Sequence, residues 1–239
     1  MKAGATVRTA MLLGAEGVRR LAASRVLVVG IGGVGSFAVE ALARGGVGTL
    51  TLLDPDHVSE SNLNRQLVAL VSTLGRLKVE VMRERILDIN PEAVVEALAL
   101  KYSAKTADAV DLARFDYVVD AIDSPSAKVE LVVRAKAAGV PIVSAMGAGN
   151  KLDPARFELV DLFATDRCPL ARVMRKKLRK QGVTHLDVVF SAEEPREPVP
   201  PPDDPGPGAG RLPPGSISFV PGVAGLVIAG HVIRRLAGV

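Results

Sequence analysis

The stretch RVLVVGIGGVGSFAVEAL, residues 25–42, decides the fold. An apolar run from Val26 to Val29 meets a glycine-rich turn and then an apolar segment of helical character; the glycines are Gly30, Gly32, Gly33 and Gly35. This G-x-G-x-x-G spacing between a strand and a helix is typical of nucleotide-binding folds. NAD, FAD, S-adenosylmethionine and ATP all bind such turns, so the glycines alone leave the nucleotide open.

Strand and helix signals alternate as far as about Gly147, which predicts an α/β fold with a Rossmann-like, doubly wound, mainly parallel sheet. The predicted strands are RVLVV, TLTLLD, AVVEAL, YVVDAID and PIVSAMG, and the predicted helices are 33–44, GRLKVEVMRERILDI and 125–138. We expect one domain, residues 1–239, with a nucleotide-binding core, 24–150, and a C-terminal extension, 151–239.

The extension is predicted from a change of pattern after Gly149. FELVDL and HLDVVFS resemble added strands, PLARVMRKKLRKQG a helix, and VAGLVIAGHVIRRL a buried or dimer-facing helix that is too short and glycine-interrupted to span a bilayer. Residues 195–215 contain nine Pro and four Gly, which predicts a mobile loop.

Composition narrows the class of protein. The chain has 239 residues, 48% of them hydrophobic but only 3% aromatic, and a net charge of +4, too small to prove a basic binding face. The single cysteine, Cys168, rules out a disulfide within the chain and a four-cysteine zinc site. The first residues lack the long apolar stretch of a signal peptide, so we expect a cytoplasmic enzyme.

Polar residues after the second strand favour ATP over the other nucleotides. Asp54 ends that strand about twenty residues beyond the turn, where an acidic residue binds ribose hydroxyls of either NAD or ATP. Asn62, Arg65 and Lys78 follow it. Two cations and an amide are more than a pyrophosphate at a helix N-terminus needs, and they suit a triphosphate.

A carboxylate at the end of the fourth strand suggests a metal. Asp123 lies where doubly wound sheets bind ligands, and a carboxylate beside a triphosphate is repelled unless Mg²⁺ lies between them. We therefore predict Asp123 as a magnesium ligand. Ordinary alternatives stay open for each residue: Arg65 as a surface ion-pair partner, Lys78 as a solvated helix residue, and Asp120 or Asp123 as the cap of the following helix.

Together, GIGGVG, LLDPDHVSESNLNRQ, Lys78 and DAIDS resemble the ATP site of the adenylating family that includes ubiquitin-activating enzymes and bacterial sulfur-carrier adenylyltransferases. The resemblance implies carboxylate adenylation with Mg-ATP on a homodimer or pseudo-dimer. It implies these roles: Gly30, Gly32, Gly33 and Gly35 approach the nucleotide, Asp54 holds the ribose, Asn62, Arg65 and Lys78 contact phosphates, Asp123 binds Mg²⁺, and Arg8, in VRTAMLLG, reaches the partner subunit's ATP.

Later motifs resemble one branch of that family, the enzymes that dehydrate threonylcarbamoyladenosine in tRNA. These motifs are RTAMLLGAEGVRRL, MGAGNKLDP, DRCPLARVMRKKLRKQG, VVFSAEEP and GSISFVPGVAGLVIAGHVI. The branch implies a tRNA substrate and leaves a sulfur-transfer partner protein open. The alternatives are an adenylyltransferase for the C-terminal glycine of a ubiquitin-like sulfur carrier, many of which have two cysteine pairs for zinc, and a nucleotide-binding module without turnover.

A basic segment is the candidate contact with tRNA. Six cations lie within nine residues: Arg172, Arg175, Lys176, Lys177, Arg179 and Lys180. Phosphate contacts by such residues supply sequence-independent affinity, although a solvated helix face is the plainer interpretation. Its apolar residues, Leu170, Val173, Met174 and Leu178, are expected to face inward. Cys168 is expected to be an inert core residue rather than a nucleophile.

Overall fold

The chain forms a seven-stranded sheet between two layers of helices. The computed structural model describes residues 1, 3–199 and 214–239. The strands are β1 (Arg25–Val29), β2 (Thr49–Leu53), β3 (Val94–Leu98), β4 (Tyr117–Asp120), β5 (Ile142–Ala145), β6 (Phe157–Asp161) and β7 (Asp187–Ser191). The helices are α1 (Ala3–Ala23), α2 (Gly35–Gly45), α3 (Lys78–Ile89), α4 (Pro125–Ala137), α5 (Pro169–Arg179) and α6 (Val220–Ala237).

The strand order is β3-β2-β1-β4-β5-β7-β6, and only β6, at one edge, runs antiparallel to its neighbour. The prediction of a doubly wound, mainly parallel sheet is confirmed. The two strands predicted in the extension join this same sheet beside β5. Between β1 and β4 the connections leave in opposite directions, which creates the crevice where open α/β sheets bind ligands.

Apolar side chains cover both faces of the central strands. Along β1, Val26 and Val28 pack with α2, α3 and α6 on one face, whereas Leu27 and Val29 pack with α4 and α5 on the other. A parallel strand buried on both faces needs such a continuous apolar run, which explains why RVLVV was recognisable as a strand.

Several predictions need correction at the level of elements. The strand predicted over YVVDAID ends at Asp120, so Asp123 lies in the turn that leads into α4. The N-terminal helix α1, with non-helical backbone at Gly14, had not been predicted. The prediction that the last helix is too short and glycine-interrupted to span a bilayer is wrong, because α6 is long and apolar enough to cross a membrane. However, 56% of that span is buried, as is usual for a core helix. Residues 200–213 of the predicted mobile loop lie outside the described residues.

The turn from β1 into α2 depends on two glycines in close contact. Gly30 has φ +93°, in the left-handed region that favours glycine. A Cβ on Gly35 would lie 1.8 Å from the carbonyl oxygen of Gly30, so the turn cannot keep its shape with a side chain there.

Replacing Gly35 by Ala should therefore lower the melting temperature by about 2–12 °C, since overpacking a tight site costs about 1–3 kcal/mol. Gly32→Ala is the matched control, because a Cβ there has as its nearest neighbour Gln66 Nε2 at 3.8 Å. Its melting temperature should stay close to that of the wild type. Equal losses in the two variants, measured by calorimetry, would contradict the assigned contact.

Candidate functional site

The glycine turn is held closed by the buried carboxylate of Asp54. Asp54 Oδ2 accepts a hydrogen bond from the Ile31 amide at 2.6 Å, and its Oδ1 accepts one from the Asp56 amide at 2.9 Å. Burial raises the pKa of Asp54, while these two hydrogen bonds and the charge of Lys78 oppose the rise. Each carboxylate oxygen retains a further lone pair, so Asp54 can accept hydrogen bonds from ribose hydroxyls, as predicted, while it holds the two backbone amides.

Lys78, the first residue of α3, is clamped by a neighbour that sequence reasoning missed. The lysine is only 5% exposed, and its Nζ lies 3.0 Å from Asp56 Oδ2. The Lys78 amide also donates to the Asp56 carbonyl. The alternative interpretation of Lys78 as a solvated helix residue is therefore wrong. The segment DPDH contains two aspartates, and only one of them can end the strand. The second was the signal in the sequence for an acidic partner of Lys78.

Arg65 is oriented by its own loop. Its Nη1 donates to the Ser61 carbonyl at 2.8 Å and to Asn64 Oδ1 at 2.9 Å. Among the described residues the guanidinium has no acidic partner, which disfavours the interpretation as a surface ion pair. The remaining nitrogens keep their donors for an anion, as the predicted phosphate contact requires.

Asn62 has a local task as well as its predicted one. The residue is 8% exposed, and its Oδ1 accepts from the Ser59 amide within a short 3₁₀ turn. The oxygen is thus committed to the loop, and the Nδ2 group is the part of Asn62 suited to a phosphate oxygen.

Asp120 and Asp123 have opposite environments. Asp120 is fully buried and ion-paired with Lys128 at 2.9 Å. Asp123 is exposed, and the described residues offer it no hydrogen bond or ion pair. The N-cap of α4 is Ser124, so the alternative that either aspartate caps this helix is wrong. An exposed, unpaired carboxylate at this edge suits a cation.

Gln66 was not predicted as a site residue, although it lies beside the glycine turn. Its Nε2 is the nearest atom to a Cβ built on Gly32, and its buried Oε1 has no hydrogen-bond partner in the described chain. Buried polar atoms are rarely left unsatisfied, so this amide indicates a place that a ligand or water completes. Its position directly after Arg65 in NRQ was the only signal.

Other predicted residues lie away from this turn. Arg8 is exposed on α1. Cys168 is 2% exposed, and its Sγ accepts from the Ala171 amide at the start of α5, so it lies in the core as expected. The structure contains one protomer only, so a contact of Arg8 with a second subunit remains a prediction.

The basic segment forms helix α5 and the residue that follows it. Ala171, Met174 and Leu178 form its buried face, whereas Val173 is 40% exposed, so the prediction that Val173 faces inward is wrong. Two of the six cations have partners: Arg175 donates to the Thr165 carbonyl at 2.8 Å, and the Arg179 guanidinium lies 5.2 Å from the centre of the Phe163 ring.

The remaining four cations are exposed and have no hydrogen bond or ion pair within the described ranges; they are Arg172, Lys176, Lys177 and Lys180. These side chains form a charged surface on the α5 layer. They are the ones in this segment that remain fully available to an anionic partner.

The residues fit a Mg-nucleotide. The turn offers close backbone approach, Arg65 and Lys78 offer donors, and Gln66 offers an unused amide. In the described part of the chain, no group of three or more His, Cys, Asp or Glu side chains is arranged to hold a metal. A magnesium ion here would therefore depend on Asp123 together with phosphate oxygens and water, which is how Mg²⁺ is commonly bound at phosphate sites.

Comparison with known proteins identifies relatives along almost the whole chain. A tRNA threonylcarbamoyladenosine dehydratase of Bacillus subtilis is 45% identical over 236 residues, which cover 96% of this chain and 93% of that protein. The Escherichia coli dehydratase in complex with ATP superposes with a TM-score of 0.84 at 35% identity, covering 97% and 93% of the two chains.

A molybdopterin-synthase adenylyltransferase of Escherichia coli is 43% identical over 139 residues, but these cover only 58% of this chain and 54% of that protein. The match to the dehydratases thus includes the C-terminal strands and helices as well as the nucleotide-binding turn. The ThiF family matches residues 6–239. The chain belongs to the ThiF family.

Proposed function

We propose that this protein is an ATP-dependent enzyme that dehydrates threonylcarbamoyladenosine in tRNA to a cyclic form. The observation that carries the proposal is the extent of the likeness to a dehydratase, 45% identity over 96% of the chain. The site agrees with it, because the donors of Arg65 and Lys78 and the carboxylate of Asp123 follow strands that flank the glycine turn.

The chemistry needs a better leaving group than hydroxide. Water formed from a departing hydroxide has a pKa near 15.7, whereas the second ionisation of a phosphate ester is near 6. In the proposed first step, the substrate carboxylate attacks the α-phosphorus of ATP, and pyrophosphate leaves. The ureido group of the same side chain then attacks the activated carbonyl and loses its proton. A ring closes, AMP leaves with the carboxylate oxygen, and the sum is loss of one water.

These two reaction steps require no covalent bond between the protein and the substrate. The second nucleophile is tethered to the substrate, so orientation supplies much of the acceleration. Arg65, Lys78 and the amides of the glycine turn stabilise charge on the phosphates. Asp54 holds the ribose, and the buried thiol of Cys168 takes no part.

Magnesium is part of the proposal. Bound through Asp123, it would neutralise charge on the triphosphate as pyrophosphate departs. Asp123 itself would need only to remain a carboxylate. Its exposed position, without an ion-pair partner among the described residues, keeps it available for that role.

The runner-up is adenylation of the C-terminal glycine of a sulfur-carrier protein. Incubation of the pure protein with ATP, Mg²⁺ and modified tRNA separates the two functions, with mass spectrometry of the nucleosides as the readout. The dehydratase gives a product lighter by one water. Pyrophosphate exchange driven by a protein tail without tRNA would instead support the adenylyltransferase.

Asp123→Asn should remove most turnover without unfolding the protein, because an amide cannot replace the charge that the metal needs. Arg65→Ala should lower the rate by about 100- to 1,000-fold, the usual cost of a lost charge-stabilising donor. Asp88→Asn is a matched control, since Asp88 is exposed near the other end of α3. Near wild-type rates for Asp123→Asn at saturating Mg²⁺ would rule out the metal role.

We further propose a homodimer in which Arg8 contacts the nucleotide of the partner subunit. Helix α1 exposes apolar side chains before and after Arg8, with Val7 48%, Met11 77% and Leu12 85% exposed. Exposed apolar side chains clustered on one helix suggest a protein contact surface.

Mixing Arg8→Ala chains with Asp123→Asn chains should restore about a quarter of wild-type activity, because half of the dimers are mixed and each has one intact site. Each variant alone should be nearly inactive. Subunit exchange is verified with differently tagged chains. Absence of activity despite proven exchange would place Arg8 in its own subunit's site, and an active Arg8→Ala variant on its own would place it outside the site.

The exposed cations of α5 are proposed to bind the tRNA backbone. Lys176→Ala with Lys177→Ala should weaken tRNA binding, leave ATP binding intact, and make the log–log salt slope shallower by roughly 1 per lost contact. Lys101→Ala with Lys105→Ala, two exposed lysines elsewhere, is the matched control. Unchanged affinity and slope would assign α5 to an ordinary solvated surface.

A further inference from the structure

Lys128 is fully buried, and it belongs to a polar cluster directly below the Asp123 turn. Its Nζ donates to Asp120 Oδ2 at 2.9 Å and approaches the Asp120 carbonyl at 3.4 Å. Ser144 Oγ donates to the same Oδ2 at 2.6 Å. Both side chains of the ion pair are 0% exposed. A buried charge is tolerated only with such complete pairing, so this cluster has one well-defined arrangement.

The cluster joins three elements around one turn. Asp120 is the last residue of β4, Ser144 lies opposite it in β5, and Lys128 lies in α4. Asp120 Oδ1 also accepts from the Ile122 amide at 3.2 Å. The backbone of residues 121–124 is thus fixed from the strand before it, the neighbouring strand and the helix after it.

The glycine turn after β1 is the fourth element that contacts residues 121–124. The Ala121 amide donates to the Val29 carbonyl at 2.8 Å. A Cβ on Gly30 would lie 2.6 Å from the Ala121 carbonyl oxygen. The turn that presents Asp123 is therefore packed directly against the turn that receives the nucleotide, and a shift in one changes its distance to the other.

We propose that Lys128 and Ser144 are positioning residues for the metal-binding carboxylate, acting through Asp120. They hold Asp120 as a buried, neutralised anchor, and they fix the turn so that Asp123 faces the triphosphate. This inference rests on the proposed role of Asp123. The proposal also explains why two aspartates only three residues apart have different environments. The charge of Asp120 is satisfied inside the protein, and the charge of Asp123 remains available to a cation.

The physical reason is the narrow geometry that Mg²⁺ accepts. Magnesium requires near-ideal octahedral coordination, and residues that orient a ligand without contacting the metal change affinity by about 10- to 100-fold when replaced. Loss of the cluster should therefore affect metal binding far more than it affects binding of metal-free nucleotide.

The test uses Mn²⁺ as the probe, with its binding followed by electron paramagnetic resonance in the presence of a non-hydrolysable ATP analogue. Ser144→Ala removes one donor with little change of volume, and Asp120→Asn combined with Lys128→Met removes the ion pair without leaving a lone charge. Each should raise the Mn²⁺ dissociation constant about tenfold or more. Binding of the ATP analogue in EDTA should stay within about twofold of the wild type.

Tyr117→Phe controls for a purely structural effect. Tyr117 is the first residue of β4 and therefore lies at the other end of that strand from Asp120. Its hydroxyl lies 2.9 Å from His231 Nε2. Its loss should lower the melting temperature without changing Mn²⁺ binding. The positioning role is overturned if Ser144→Ala binds Mn²⁺ as tightly as the wild type and the Asp120→Asn, Lys128→Met variant, where it folds, does the same.

Asp123→Asn, tested in parallel, separates the two hypotheses. Weak Mn²⁺ binding in Asp123→Asn together with normal binding in Ser144→Ala refutes only the positioning role. Normal Mn²⁺ binding in Asp123→Asn refutes the metal role of Asp123, and with it the basis of the positioning role, whatever Ser144→Ala shows.

Discussion

The contact between the Asp54 carboxylate and the Ile31 amide is the interaction on which the site depends. It joins the end of β2 to the glycine turn after β1, and it lies among fully buried strands. A buried carboxylate is costly, and the raised pKa of Asp54 reflects that cost. The two backbone donors offset it and hold the turn in the shape that the contact of Gly30 with Gly35 also demands. Contacts within the chain therefore fix the shape of this turn.

Three aspartates at this edge of the sheet show how one fold separates three roles by environment. Asp54 is buried and satisfied mainly by amides, Asp120 is buried and satisfied by a cation and a hydroxyl, and Asp123 is exposed and unpaired in the described chain. Only Asp123 can pair with a ligand without breaking a contact to a buried group of the protein. The residue type is the same in each case, and the neighbours decide how the charge is satisfied.

Sequence reasoning succeeded where the signal is local. The glycine spacing, the apolar strand RVLVV and the acid at the end of β2 are local patterns, and the fold followed from them. The preference for ATP followed from Asn62, Arg65 and Lys78, which come later in the chain. Sequence reasoning failed where a partner is distant. The pairing of Asp120 with Ser144 depends on strand register across 24 residues, and the fate of Val173 depends on which helical face meets α4. Such contacts arise only from tertiary packing, which one sequence does not display.

The same limit applies to the cations. Arg175 and Lys176 are adjacent in sequence and equal in charge, yet one is tied to Thr165 and the other is exposed. Lys78 is a further case, because it pairs with Asp56, 22 residues away in the sequence, whose side chain is 63% exposed. The Asp56–Lys78 pair satisfies the charge of a nearly buried cation, and the places of the two residues in the sequence do not by themselves establish that pairing.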